Sequence, residues 1–182
     1  YVKEKIIFWE GISLVDLFSP KSKSFEAIAH TFLALLEAKK WGADIMHIHA
    51  IGPGLMVPVA RLMGMKVVFT HHGSDYERAN WGCMARTILK LGEKLSGLYA
   101  NKIIAISDII QGTLERRCGR ESTLIFNGVK IHKKAKEHSY LDDINVRPNK
   151  YLLVVARFVP EKGLHILLDA YSKIDTDIKL VI

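Results

Sequence analysis

The chain is poor in cysteine: Cys83 and Cys118 are the two it has in 182 residues. Two thiols form no disulfide framework, and reduced thiols in a cytoplasmic protein are the expectation. Long apolar runs are missing too. No stretch of about 18 apolar residues occurs, which excludes the usual pattern of a membrane-spanning helix. The opening residues show no charged region, apolar region and cleavage site in series, so nothing there argues for export. Zinc-finger spacing, an aromatic RNP motif and a basic heptad pattern are also absent, and no nucleic-acid partner is expected.

What is present suits a globular protein: 49% hydrophobic and 25% charged residues, with enough length to bury a core in one domain, or in one domain and a piece of another. The net charge of +7 favours anionic partners, among them phosphorylated small molecules and anionic lipid head groups. Peripheral contact with the inner face of a membrane follows as an expectation. Lys130, Lys133, Lys134 and Lys136 form the one dense cluster and read as part of a solvated linker.

Short apolar runs alternate with amphipathic stretches. Strands are expected at Lys5 to Trp9, Asp44 to Ala50, Lys66 to His72, Lys102 to Ser107 and Ser122 to Asn127. Between them, Ser24 can cap a helix with Phe25, Ile28, Ala29, Phe32, Leu35 and Leu36 on one face. Leu55 to Met63 reads as a helix with Pro58 in its first turn and Gly64 as its stop. Met84, Ile88, Leu91, Leu95 and Leu98 stripe a further helix, and Ser107 or Asp108 caps one that runs through Leu114. This rhythm, with strands apolar on both faces, predicts a doubly wound, Rossmann-like parallel sheet covered by helices. Residues 1–129 are assigned to it. Residues 130–150 read as a linker. A second βα unit occupies 151–182: a strand at Tyr151 to Ala156, Pro160 in a first helical turn, a helix face of Leu164, Leu167, Leu168 and Tyr171, and a strand beginning at Ile178. No strand with a glycine-rich turn precedes Tyr1, and the last strand has barely begun at Ile182. Both ends are therefore expected to continue in a longer protein.

Ligands of such sheets bind beyond the carboxyl ends of the strands. His47, His49, Thr70, His71, His72, Gly73, Asp75, Ser107, Asp108, Asn127 and Gly128 fall there. His72 followed by Gly73 suits a tight turn with an imidazole able to bond a sugar hydroxyl, or else a structural histidine. Ser74, Asp75, Glu77, Arg78 and Trp81 form a polar loop with an aromatic, equipped to grip a carbohydrate or simply to close a surface turn. His47 and His49 share one strand face and, with His71 or His72 and Asp75, could form a metal site. Asn127-Gly128 signals a turn. In the second unit, Arg157 and Lys162 bracket the junction of a strand with a helix amino terminus. A guanidinium fork, a mobile ammonium, Gly163 and the helix dipole together suit a diphosphate. The plainer alternative pairs Arg157 with Glu161 and leaves Lys162 in solvent.

Five segments in this order resemble the family 4 glycosyltransferases, retaining enzymes with two Rossmann-like domains in the GT-B architecture. They are Val67-Val68-Phe69-Thr70-His71-His72-Gly73-Ser74-Asp75-Tyr76-Glu77-Arg78-Ala79-Asn80-Trp81-Gly82, Leu91-Gly92-Glu93-Lys94, Ala100-Asn101-Lys102-Ile103-Ile104-Ala105-Ile106-Ser107, Phe126-Asn127-Gly128-Val129 and Ala156-Arg157-Phe158-Val159-Pro160-Glu161-Lys162-Gly163. The first is similar to the rhamnosyltransferase-like branch of polysaccharide assembly. The resemblance implies that residues 1–129 form the acceptor-side lobe and 151–182 begin the lobe that binds the nucleotide sugar. It implies that Arg157 and Lys162 hold the donor diphosphate, that His72 is the catalytic residue and contacts the transferred sugar near the reacting carbon, and that Gly73, Asp75, Arg78 and Asn127 line the acceptor side of a cleft. It implies no metal or other cofactor, the two cations serving instead. The partners it implies are a nucleotide diphosphate sugar and a glycan or lipid-linked acceptor. The family's glycine-rich first turn and its two-glutamate motif are not in this chain, and Ala156 stands where the family often has Gly. Two rival readings remain open: a metal-dependent hydrolase using His47, His49, His72 and Asp75, and a non-enzymatic nucleotide or nucleic-acid binder.

Overall fold

The computed structural model describes residues 7–20, 26–77, 81–131 and 139–182. The chain divides into two compact units, 1–127 and 128–182.

The first unit opens on a hairpin, β1 (Phe8–Trp9) and β2 (Ile12–Ser13), paired antiparallel with Trp9 opposite Ile12. Glu10 and Gly11 turn it with φ +46° and +86°. Two positive φ angles in a two-residue loop give the twist that matches paired strands. Here the structure corrects the sequence reading: the described part of Lys5 to Trp9 joins this separate hairpin, not the parallel sheet. Helix α1 (Glu26–Lys40) follows. Its buried positions are Thr31 and Leu35, while Phe32 and Leu36 remain exposed. The inward face is thus turned relative to the predicted one, and the proposed cap Ser24 and first face residue Phe25 lie outside the described residues.

The sheet consists of β3 (Ile45–His49), β4 (Lys66–His71), β5 (Lys102–Ala105) and β6 (Thr123–Leu124), all parallel and adjacent in chain order. A 3-10 turn (Pro53–Met56) runs into α2 (Val57–Leu62), with Pro58 in its first turn and Gly64 reversing the chain at φ +85°. The longer helices are α3 (Cys83–Tyr99) and α4 (Asp108–Cys118). Helices α2 and α3 pack on β4 and α4 packs on β5; parallel strands in sequential order, joined by crossovers of the usual right hand, put such helices on one face. Val67, Phe69, His71, Ile103 and Ala105 point to that face and are all buried. The opposite face holds His47 and His49, exposed, and Val68 and Ile104, half-buried.

Helix α3 overturns its predicted stripe. Met84, Leu91 and Leu98 are exposed, and the inward side carries Gly92, Glu93, Ser96 and Gly97. Small residues win that side because neighbouring atoms come very close. A Cβ on Gly92 would lie 2.1 Å from the Ile51 carbonyl oxygen, and one on Gly97 would lie 2.5 Å from Cys118 Sγ.

In the second unit, β7 (Tyr151–Leu153) and β8 (Lys179–Val181) pair in parallel around α6 (Leu164–Ser172). Residues 139–150 are more than a bare connection. They include α5 (Ser139–Asp143) and the buried Val146, and the Asn145 carbonyl accepts a bond from Lys179 Nζ at 2.6 Å. Lys133, Lys134 and Lys136 lie outside the described residues.

Candidate functional site

The candidate residues of the first unit gather at the carboxyl ends of β3 and β4. His47 and His49 share the open sheet face, as a period of two requires. His72, one residue past β4, has the same parity and reaches them. His49 Nδ1 and His72 Nε2 are 2.9 Å apart, and the His47 and His49 ring centroids lie 4.1 Å apart with the planes tilted by 34°. His47 Nε2 bonds the buried Thr70 hydroxyl at 2.7 Å. These three imidazoles thus form one row. Burial, and then the neighbouring imidazole, lowers the pKa of both His47 and His49, so each is more readily neutral than a free histidine. Their nitrogens bond one another and Thr70 instead of converging on a common point. Among the described residues, no group of three or more His, Cys, Asp or Glu is arranged to hold a metal ion.

Gly73 follows His72 at φ +143°. A Cβ there would meet nothing within 4 Å, so backbone conformation and not space calls for glycine. Its carbonyl accepts the Asp75 N–H at 3.0 Å, and a 3-10 turn (Asp75–Glu77) begins. His72, Gly73 and Asp75 are therefore brought together on one short turn. Arg78 lies outside the described residues. Asn127 is exposed and sits two residues beyond Ile125, whose N–H makes the last bond to β5. The predicted Asn127-Gly128 turn does not form: neither residue has a positive φ, and the backbone runs on without a turn.

A second polar cluster lies beneath this turn, in the core, and composition gave it no role. His71 and Glu93 are 0% and 1% exposed, with Nε2 and Oε1 2.9 Å apart. Arg117 Nε reaches Glu93 Oε2 at 2.7 Å, and the Tyr76 hydroxyl donates to Oε1 at 3.2 Å. Burial first, with Glu93 adding, holds the Tyr76 phenol above its ordinary pKa. A glutamate on a helix usually faces water. The signal that could have found this one is its setting between Gly92 and Ser96-Gly97, a run of small residues that marks a closely packed face.

In the second unit, Val154 N–H bonds the Val181 carbonyl at 2.9 Å, and the chain leaves the sheet through Arg157. A 3-10 turn (Pro160–Lys162) ends at Gly163, φ +64°, whose carbonyl accepts from Ile166 and Leu167 at the start of α6. Arg157 and Lys162 thus flank a helix amino terminus, and both are exposed. Among the described residues neither has an ion-pair partner, and the alternative bridge from Arg157 to Glu161 is not formed.

The model of Glycosyltransferase Family 4 matches residues 9–133. A protein of Methanocaldococcus jannaschii named an uncharacterized glycosyltransferase is 28% identical over 170 residues, covering 89% of this chain. The chain spans 44% of that relative's length. The chain belongs to glycosyltransferase family 4.

Proposed function

We propose that this chain is part of a retaining glycosyltransferase of GT-B architecture that moves a hexosyl-type sugar from a nucleotide diphosphate sugar to a glycan or lipid-linked acceptor. The observation that carries this reading is the pair of exposed cations, Arg157 and Lys162, set on either side of the turn into α6 with no ion pair to occupy them among the described residues. Family membership and the first unit's parallel sheet support it.

In this reading, residues 1–129 supply the acceptor side and 151–182 begin the donor side. As the glycosidic bond to the donor breaks, negative charge develops on the departing diphosphate. Arg157 can offer two parallel N–H bonds to its oxygens, and Lys162 adds a point charge. Cations placed where that charge develops stabilise the transition state more than the ground state. No metal is required for that step in this reading. His72, placed by the β4 turn, bonds a hydroxyl of the transferred sugar, while Gly73, Asp75, Arg78 and Asn127 face the acceptor. Polysaccharide assembly in the cytoplasm, in the manner of the rhamnosyltransferase-like branch and with peripheral contact to anionic lipid, completes the proposal. Among the described residues no helix is long and apolar enough to cross a membrane.

The test is a thermal-shift and transfer screen of the full-length protein against UDP-, GDP- and dTDP-sugars. At least one donor should raise the melting temperature and support transfer. No shift and no transfer with any member of the panel would contradict the proposal.

A further inference from the structure

The glycosyltransferase reading leaves the buried carboxylate of Glu93 without a task. Burying a charge carries a large desolvation cost, and an apolar residue of similar volume would avoid it. Helix packing does not require the charge either, because α3 already closes on its neighbours through Gly92, Ser96 and Gly97. Three donors from different elements satisfy the carboxylate: His71 Nε2 from β4, the Tyr76 hydroxyl from the following turn and Arg117 Nε from α4. Arg117 also donates to the Tyr76 oxygen at 2.9 Å and lies over its ring, 5.0 Å from the centroid.

This network has an outlet toward the site. The N–H of Gly73 donates to His71 Nδ1 at 3.1 Å. A ring nitrogen that accepts carries no proton, so the proton of His71 is on Nε2, directed at Glu93. Glu93 therefore sets both the orientation and the tautomer of His71. A flipped or protonated ring would turn an N–H against the Gly73 N–H. The conformation of Gly73 at φ +143°, and with it the turn bearing His72 and Asp75, depends on that acceptor.

We propose that Glu93 is a positioning residue: through His71 it fixes the Gly73 turn that presents His72 and Asp75 to the substrate. The functional half of this statement rests on the glycosyltransferase reading, and the geometric half does not. If Glu93 served only to staple α3 and α4 to the sheet, an apolar replacement that keeps stability would keep everything else.

The full-length protein and its His71→Val/Glu93→Leu double variant decide the matter. Arg117, with its side chain 39% exposed, can turn to water in that variant. The melting temperature should stay near that of the parent, while exchange of the Gly73 amide hydrogen accelerates at least about tenfold. With a donor from the nucleotide-sugar panel, kcat should fall on the order of a hundredfold with KM little changed, the effect of a reacting group displaced by about 1 Å. Unchanged Gly73 exchange, or unchanged kcat in a stable double variant, would overturn the proposal. The imidazole 15N spectrum of the parent protein is independent of any variant's folding. His71 must appear there as the Nε2–H tautomer, and the Nδ1–H tautomer would refute the mechanism. If the tautomer and the exchange behave as stated but no nucleotide sugar is turned over, the positioning of the turn stands and the transferase reading fails.

Discussion

Gly92 and Gly112 both sit inside helices, yet alanine should act on them in opposite directions. At Gly92 a Cβ would meet the Ile51 carbonyl oxygen at 2.1 Å, a backbone atom that cannot step aside cheaply. Overpacking of that kind costs about 1–3 kcal/mol, which exceeds the gain of about 1 kcal/mol in helix propensity. At Gly112 the nearest atom is Arg116 Nη1, 3.2 Å away at the end of a flexible side chain, so the propensity gain prevails. Urea midpoints of the full-length protein should fall for Gly92→Ala and rise for Gly112→Ala; the same sign for both would refute the packing argument. The histidine row makes a second residue-scale prediction. His47 and His49 have folded pKa values below their ordinary one. The unfolded chain therefore binds more protons as pH falls below about 6.5. Stability is fully present above that pH and declines as pH drops toward the lowered folded values. Melting curves at pH 7.5 and 5.5 should show the loss, and His49→Gln should shrink it. An equal loss in the variant would count against the row as its source.

Elements that begin or end on a side-chain signal behaved as such signals should. Ser107 caps α4, its hydroxyl accepting the Ile110 N–H at 3.4 Å, and Gly119 closes that helix at φ +61°. Ser107→Ala should cost about 1 kcal/mol, read as a lower denaturant midpoint, and Ser107→Asp should restore it. No loss with alanine would show the cap to be ornamental. The order of elements, the parallel sheet and the placing of His47, His49 and His72 at strand ends were legible, because a period of two and chain punctuation are local properties. The inward face of α3 was not. Its apolar stripe of Met84, Leu91 and Leu98 obeys helical spacing, but tertiary crowding against Ile51 and Cys118 selects the glycine and serine side. The hairpin was misread for a related reason: Glu10 supplies a left-handed turn residue that sequence statistics give mainly to Asn, Asp and Gly. Glu93 was visible as part of a family motif, yet its partners lie 22 and 24 positions away at His71 and Arg117, beyond the reach of any local pattern.

At the scale of the molecule, the two units divide the labour proposed for them. The first presents a row of three imidazoles, with His47 and His49 held below the ordinary histidine pKa, and a glycine turn braced from beneath by a buried carboxylate. The second presents two cations around a left-handed glycine and the start of a helix. The central claim is that those cations hold a diphosphate. Isothermal titration of the nucleoside diphosphates UDP, GDP and dTDP into the full-length protein tests it most directly. The parent should bind at least one of them. Arg157→Ala and Lys162→Ala should each weaken that binding by about 1.5–3 kcal/mol, roughly tenfold to a hundredfold, as expected for a lost hydrogen bond to a charged group. Binding that is equally tight in the parent and both variants would contradict the account.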